Sequence, residues 1–384
     1  MDNLFFTDEH IMIRDMVREF ADTEITPVAR DLDEQGEFPT ALVNKMGELG
    51  LMGILIPEEY GGSGLDMVAF ATAIIELARA DASVAITMAA HTSLGSLPIL
   101  MFGSDEQKNT YLPKLATGEM LGAFGLTEPD AGSDAGATKT KAVRDGDEYV
   151  VNGGKIFITN AGKAGVLSFT SQVIENGKNL GIAAFSISTN TPGLEIGPKE
   201  KKMGWHASDT RQLFFKDMRI QASSMLGTPT NGFKTFLKTL TSGRVSIGAL
   251  SIGTALGAYE RALAYSTERI AFGKPINNFQ SVGFKLADMA TKIEASKLLV
   301  FHAAWMKDQG LDITKEAAMA KLFASETAME VTTEAIQIHG GYGYVKEYDV
   351  ERFFRDAKIL EIGEGTSEIQ RLIISREILK EIQI

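Results

Sequence analysis

The sequence predicts an α+β chain in three parts: an all-helical N-terminal domain over residues 1–121, a middle β domain over 122–228, and a C-terminal helical bundle over 229–384. Three observations predict it. Apolar residues recur at helical spacing through both ends of the chain. Runs rich in Val, Ile, Phe and Thr cluster in the middle instead of alternating with helices, which argues against a doubly wound α/β fold. Finally, 384 residues with 44% hydrophobic side chains supply core for two or three compact units.

Thr7, followed by Asp8 and Glu9, reads as an N-cap with acids in the first turn, where they complement the helix dipole. The face Ile11, Ile13, Met16, Val17 and Phe20 carries that helix to a break at Thr26-Pro27. Pro39 opens a second helix in the first-turn position, with Leu42, Met46 and Leu49 at helical spacing. The Gly-rich loop 58–64 separates it from an Ala-rich helix beginning near Asp66. From Ala82 to Ser104 there is no Asp, Glu, Lys or Arg, a length that would span a bilayer. Ser83, Thr87, His91, Thr92, Ser93 and Ser96 make it too polar for lipid, so it reads as a core helix suited to wall a pocket. In the middle, 148–151, Asn152-Gly153-Gly154 and 155–159 read as a hairpin closed by an Asn-Gly turn. Residues 165–172, 180–189 and 212–220 read as further strands, at the spacing of a small barrel or sandwich. Helical periodicity returns after Asn231-Gly232, and Gly-rich breaks at 272–275 and 340–343 leave long helices with short connections.

Composition excludes much chemistry. The 50 acidic residues against 38 Lys and Arg give a net charge of −12, which repels nucleic acid and anionic membranes, so neither nucleic-acid binding nor membrane insertion is expected. With no cysteine there is no disulfide, thiolate nucleophile or Cys-held metal, which fits a reducing compartment. The opening Met1-Asp2-Asn3-Leu4 lacks a basic stretch, so a cytoplasmic or matrix location is expected. The five histidines fall at no metal-binding spacing, and no metal is expected. The glycine pairs at 62–64 and 363–365 both fail a dinucleotide fingerprint at its third glycine.

Two glycine-punctuated stretches remain. Residues 125–136 pack hydroxyls, acids and glycines into one loop at the helical–β boundary, either a ligand cleft or an ordinary linker. In 360–369, Glu364 stands between Gly363 and Gly365 just before a helix. In this order the two stretches resemble the acyl-CoA dehydrogenase family over essentially the whole chain. The first signature is Gly122-Ala123-Phe124-Gly125-Leu126-Thr127-Glu128-Pro129-Asp130-Ala131-Gly132-Ser133-Asp134, and 155–160 looks like the flavin-facing strand. The second is Gln337-Ile338-His339-Gly340-Gly341-Tyr342-Gly343-Tyr344, with Arg352, Arg355-Asp356 and Glu364-Gly365-Thr366 downstream. The resemblance implies a helical domain, a β-barrel or sandwich domain and a four-helix bundle, with FAD between the last two.

It also implies roles. Phe124, Leu126, Thr127 and Ser133 would line the flavin and the start of the CoA arm, and Phe157 and Thr159 would meet the isoalloxazine ring. Arg269, Phe272, Gln337 and Gly341 match residues by which a neighbouring subunit completes the cofactor site, implying a homotetramer. Thr366 and Glu368 fall near the adenine–pyrophosphate side. Glu364 falls at the catalytic-base position of the short- and medium-chain members, whereas isovaleryl-CoA dehydrogenases carry the base on a bundle helix just before an arginine. Here that position is Gly243, before Arg244. The chemistry wants a carboxylate on the face opposite the flavin, with its pKa raised by desolvation toward that of the carbon acid. Gly363 and Gly365 let the base's backbone N–H approach the thioester carbonyl.

Ile86, Thr87, Ala90 and Leu94 would form an apolar acyl pocket, and the lack of a cation there argues against the glutaryl-CoA branch. Gly363 replaces an aromatic residue of many relatives and leaves room for branching. The expected activity is FAD-dependent α,β-dehydrogenation of a short- to medium-chain acyl-CoA, branched chains included, with electrons passed to an electron-transfer flavoprotein, as in fatty acid β-oxidation. The rivals are an oxygen-using oxidase-like activity and a degenerate flavin-binding assembly protein.

Overall fold

The computed structural model describes residues 2–228 and 232–382; Met1, Pro229 at the start of the predicted third domain and Asn231 at the predicted return of helix lie outside them. The N-terminal domain is built from α1 (Asp8–Phe20), α2 (Ala29–Gln35), α3 (Thr40–Glu48), α4 (Met67–Ala80), α5 (Ala82–Phe102) and α6 (Asp105–Ala116). At the start of α1 the Thr7 backbone N–H donates to His10 Nδ1 at 2.9 Å, and the other ring nitrogen lies 2.9 Å from Asp66. Pro39 stands just before α3 and not in its first turn. Asp66 caps α4 by accepting from the Ala69 N–H at 2.8 Å, and Asp81 caps α5 by accepting from Val84 at 2.9 Å.

By length and composition α5 could cross a membrane, but 83% of its apolar window is buried inside the protein. Its polar groups are answered locally. His91 Nδ1 accepts the Gly122 N–H at 3.1 Å, which leaves the Nε2 hydrogen for the Leu115 carbonyl at 3.0 Å. Burial holds that imidazole down at about 4, so it stays neutral in the core.

The β domain is one eight-stranded sheet: β1 (Leu121–Gly125), β2 (Lys141–Asp145), β3 (Glu148–Thr159), β4 (Ala164–Glu175), β5 (Lys178–Ser188), β6 (Leu194–Lys199), β7 (Thr210–Gln221) and β8 (Met225–Leu226). The order is β6-β7-β3-β2-β4-β5-β8, with β1 parallel to β4. In a flat sheet β4 and β7 would stand roughly 14 Å apart, three strand spacings of about 4.8 Å. Yet the rings of Phe169 on β4 and Phe215 on β7 meet at 4.8 Å, and Tyr149 on β3 reaches Phe185 on β5 at 5.5 Å. The sheet therefore curls around these rings, which form its core.

One expectation is corrected here. Asn152-Gly153-Gly154 is no hairpin turn: β3 runs straight through it, and both halves pair with β7. The hairpin is β2–β3, reversing at Gly146 between Asp145 and Glu148. Gly153 instead sits at a register shift, with φ 143°, where a Cβ would come within 2.7 Å of the Thr140 Cα. The glycine permits a bulge and a close approach.

The C-terminal part is a bundle of α7 (Gly232–Glu268), α8 (Gln280–Asp308), α9 (Thr314–His339) and α11 (Ser367–Ile382), with the short α10 (Val350–Lys358) across one end. Polar side chains of α10, two of them buried, clasp the three domains. Arg352 donates to Asp81 of the N-terminal domain at 2.6 Å, and Arg355 to Asp33 at 2.7 Å. Asp356 accepts the backbone N–H of Trp205, from the β domain, at 2.6 Å.

Candidate active site

Strand β3 ends in two residues with left-handed backbone, Phe157 at φ 62° and Asn160 at φ 65°. That conformation is unfavourable for non-glycine residues and persists only where neighbours hold it. Asn160 is held by its Nδ2, which donates to the Thr87 carbonyl of α5 at 3.0 Å. Phe157 is 64% exposed, a flat apolar face turned outward at the end of the strand.

Beside it lies the loop that follows β1. The Ile156 N–H donates to the Thr127 carbonyl at 2.9 Å. Lys155, fully buried, donates to the Leu126 carbonyl at 3.1 Å and to Glu128 at 2.7 Å. Burial alone would push the Glu128 carboxyl up, but the Lys155 ammonium, Thr138 and the Lys139 N–H hold it down at about 2, so it stays ionised. The loop bearing Leu126 and Thr127, which continues from Phe124 on β1, is thereby locked against the strand bearing Phe157 and Thr159. Ser133, further along the same loop, is exposed.

Across α5 stands Glu364. Its φ is 52° and that of Gly365 is 97°, two consecutive left-handed residues. The turn is held from two helices, because the Gly365 carbonyl accepts from Lys321 Nζ of α9 and from Gln370 Nε2 of α11, each at 2.8 Å. Glu364 Oε2 is buried and has no hydrogen-bond partner among the described residues. Burial raises its pKa to about 7, with Lys321 and Arg244 pulling the other way.

The carboxylate lies directly over Gly243 of α7. A Cβ built at Gly243 would collide with Oε2, would lie 3.1 Å from the Glu364 Cδ, and would sit 3.4 Å from Leu94 of α5. Positions 243 and 364, the two places at which the resemblance would put a base, thus address one volume. Ile86, Thr87 and Ala90 are buried on α5, and Leu94 is half-buried beside that volume. Gly363 and Gly365 flank the acid.

Buried polar atoms without partners gather here. Ser242 Oγ, Arg244 Nε, Glu364 Oε2, Ser367 Oγ and Gln370 Oε1 lie on the two segments that meet at Gly243, and Asn160 Oδ1 lies at the strand end. Unpaired buried polar atoms are costly unless a ligand or water answers them. Such unanswered donors and acceptors fit a ligand with polar edges, as a flavin and a thioester have.

Not all the expected site residues meet. Thr366 caps α11, its Oγ1 accepting from Ile369 at 3.4 Å, and Glu368 is exposed. Arg269 lies beyond the far end of α7, on the order of 39 Å from Gly243 at 1.5 Å per residue. Its guanidinium covers the Tyr342 ring at 5.5 Å, in the same loop as Gly341, while Phe272 at φ 50° is 95% exposed and Gln337 is exposed. Within one chain these groups do not reach the Glu364 cleft.

Sequence reasoning missed Lys155, Asn160, Lys321 and Gln370. For Lys321 a signal exists: it shares a helical face with Ala317, Ala324 and Ala328, a lone charge on an apolar stripe.

The fold and the cleft define the class, a three-domain oxidoreductase with a helical domain on either side of a sheet domain. Residues 7–119, 123–218 and 230–379 match the N-terminal, middle and C-terminal domains of acyl-CoA dehydrogenase, so the chain belongs to the acyl-CoA dehydrogenase family, whose members are FAD-dependent enzymes. It is 53% identical over 380 residues to a "probable acyl-CoA dehydrogenase" of Bacillus subtilis, covering 98% of this chain and 100% of that one. It is 46% identical to a short-chain specific acyl-CoA dehydrogenase of Clostridium acetobutylicum, covering 97% and 99%. Among solved structures, butyryl-CoA dehydrogenase of Megasphaera elsdenii superposes with a TM-score of 0.95 at 43% identity, covering 97% of this chain and 99% of that one. A chain from a structure of the electron transferring flavoprotein of Acidaminococcus fermentans superposes equally well, with a TM-score of 0.95 at 45% identity, covering 98% and 99%.

Proposed function

We propose that this acyl-CoA dehydrogenase desaturates short- to medium-chain acyl-CoA thioesters between the α and β carbons, with Glu364 as the base. FAD, when bound, supplies the acceptor for the β-hydride. Phe124, Leu126, Thr127, Ser133, Phe157 and Thr159 would hold it on the β-domain wall, with Thr366 and Glu368 toward its nucleotide end. Ile86, Thr87, Ala90, Leu94 and Gly243 hold the acyl chain and exclude water, which strengthens every charge interaction in the cleft. Arg244 closes the pocket behind Gly243, and Gly365 gives the turn its freedom. Glu364 Oε2 takes the α-proton, and the Glu364 backbone N–H donates to the thioester carbonyl, acidifying that carbon.

The carrying observation is the buried, unpartnered Oε2 over Gly243. With a pKa of about 7, Glu364 is about half ionised at neutral pH and is a far better proton acceptor than an ordinary carboxylate. An amide at this position keeps the shape and cannot take a proton. Glu364→Gln is therefore expected to keep its FAD and to lose anaerobic bleaching of the flavin by butyryl-CoA by about 10²–10⁴-fold. Bleaching at the parent rate would mean that the base lies elsewhere.

An electron-transfer flavoprotein is the proposed acceptor, supported by the likeness to the Acidaminococcus chain. A homotetramer is the proposed assembly. Its support is the exposed group Arg269, Phe272, Gln337 and Gly341, too far from Glu364 in its own chain to serve that cleft. The cysteine-free composition supports a reducing compartment such as the cytoplasm.

A further inference from the structure

Lys321 is completely buried on α9, and its ammonium donates to the Gly365 carbonyl at 2.8 Å. Among the described residues it makes no ion pair. Burying a charge without a counter-ion in contact is expensive and is rarely found without a use. The surrounding charges are Glu361 and Glu364 of the loop, Arg244 of α7, Glu326 of α9 and Glu368 at the start of α11. Glu361 is engaged by Lys358 at 2.5 Å, and Glu326 by Arg371 at 2.6 Å. Glu368 is exposed to solvent, so the enclosed carboxylate that feels the Lys321 charge is Glu364, which directly precedes the residue whose carbonyl Lys321 holds.

We propose that Lys321 is a positioning residue for the reaction: it fixes the left-handed Glu364-Gly365 turn through the Gly365 carbonyl, and its charge offsets the burial of the Glu364 carboxylate. This rests on Glu364 being the base. Gln370, the second donor to that carbonyl, shares the first task and, being uncharged, leaves the second to Lys321. Burial lowers the lysine's own pKa to about 8, so the ammonium persists at neutral pH.

The two tasks separate by substitution. Lys321→Gln keeps a donor and removes the charge, Lys321→Met removes both, and Lys321→Arg keeps the charge. A base works as the carboxylate, so the rate of flavin reduction rises with pH through the Glu364 pKa. Removing a nearby positive charge raises that pKa. In FAD-loaded enzyme with butyryl-CoA under anaerobic conditions, the rise is expected to shift up by about one pH unit in the Gln and Met variants and to return toward the parent position in Lys321→Arg. The Met variant should also lose about tenfold in the plateau rate, because its turn is held by Gln370 alone.

A second reading needs no turnover. The infrared band of the protonated carboxyl that is missing in Glu364→Gln, titrated in substrate-free protein, should move up by the same interval. Variants that melt like the parent and leave both the limb and the band where they were would overturn the proposal. Should Glu364→Gln reduce its flavin at the parent rate, the base assignment itself fails. If that variant is inactive while the Lys321 limb stays put, only the role of Lys321 fails.

Discussion

At the scale of residues, the cleft is organised by what is missing as much as by what is present. Gly243 has no side chain because Glu364 fills its space, whereas Gly363 has no such constraint: its φ is ordinary and a Cβ would meet only the Ile359 carbonyl at 3.4 Å. A side chain at 363 is therefore compatible with the backbone, next in sequence to Glu364. Gly363→Tyr is expected to cut kcat/KM for isobutyryl-CoA at least about tenfold more than for butyryl-CoA, since an added methyl in a filled pocket costs about 1–3 kcal/mol. Equal losses on the two substrates would assign Gly363 to backbone conformation alone. Glu364 and Gly243 stood out in the sequence through the resemblance to the family, since an acid between two glycines or a glycine before an arginine says little by itself. Lys155 did not, because a lysine in a strand ordinarily marks a solvated face, and Lys321 offered only its place on an alanine stripe; the fold shows both ammonium groups enclosed.

Among the elements, β3 carries most of the consequence. The Asn-Gly pair signals a hairpin only when the flanking segments pair with each other, and here a third strand, β7, takes both. That partner lies some sixty residues away, beyond the reach of local turn chemistry. Gly153 still has a job, letting β3 bulge past Thr140 without breaking the path to Phe157 and Thr159. Gly153→Val is expected to destabilise the protein by about 1–3 kcal/mol and to weaken FAD retention with it, read from the urea midpoint and from flavin content after gel filtration. By contrast α5 was legible, since twenty-one residues without a charge but with many small polar groups fit a buried helix.

At the scale of the whole molecule, α10 joins domains whose partners lie 271 residues apart in sequence for Asp81 and Arg352, and 322 apart for Asp33 and Arg355. Arg352, Arg355 and Asp356 stood out in the sequence as part of a signature, but no single sequence tells which distant carboxylate or amide each one meets. Burial, with Asp81 next to it, pushes the Asp356 carboxyl up to about 7. The unfolded chain releases that proton near pH 4. The folded state therefore holds a proton that the unfolded state has lost between about pH 4 and 7, so this group lowers stability as pH rises through that window and adds no further slope above it. Asp356→Asn keeps an acceptor for the Trp205 N–H and removes the titration. Its melting temperature is expected to gain steadily on the parent's from about pH 4 to 7 and to keep a constant lead above that; a constant difference across the whole range would show that Asp356 does not titrate there.

The shared volume over Gly243 also limits how such enzymes can diverge. A chain that acquired an acid at 243 while keeping Glu364 would crowd two negative charges into space for one, and a chain that lost Glu364 first would have no proton acceptor. Each single-step neighbour is handicapped, so relocating the base requires a paired exchange.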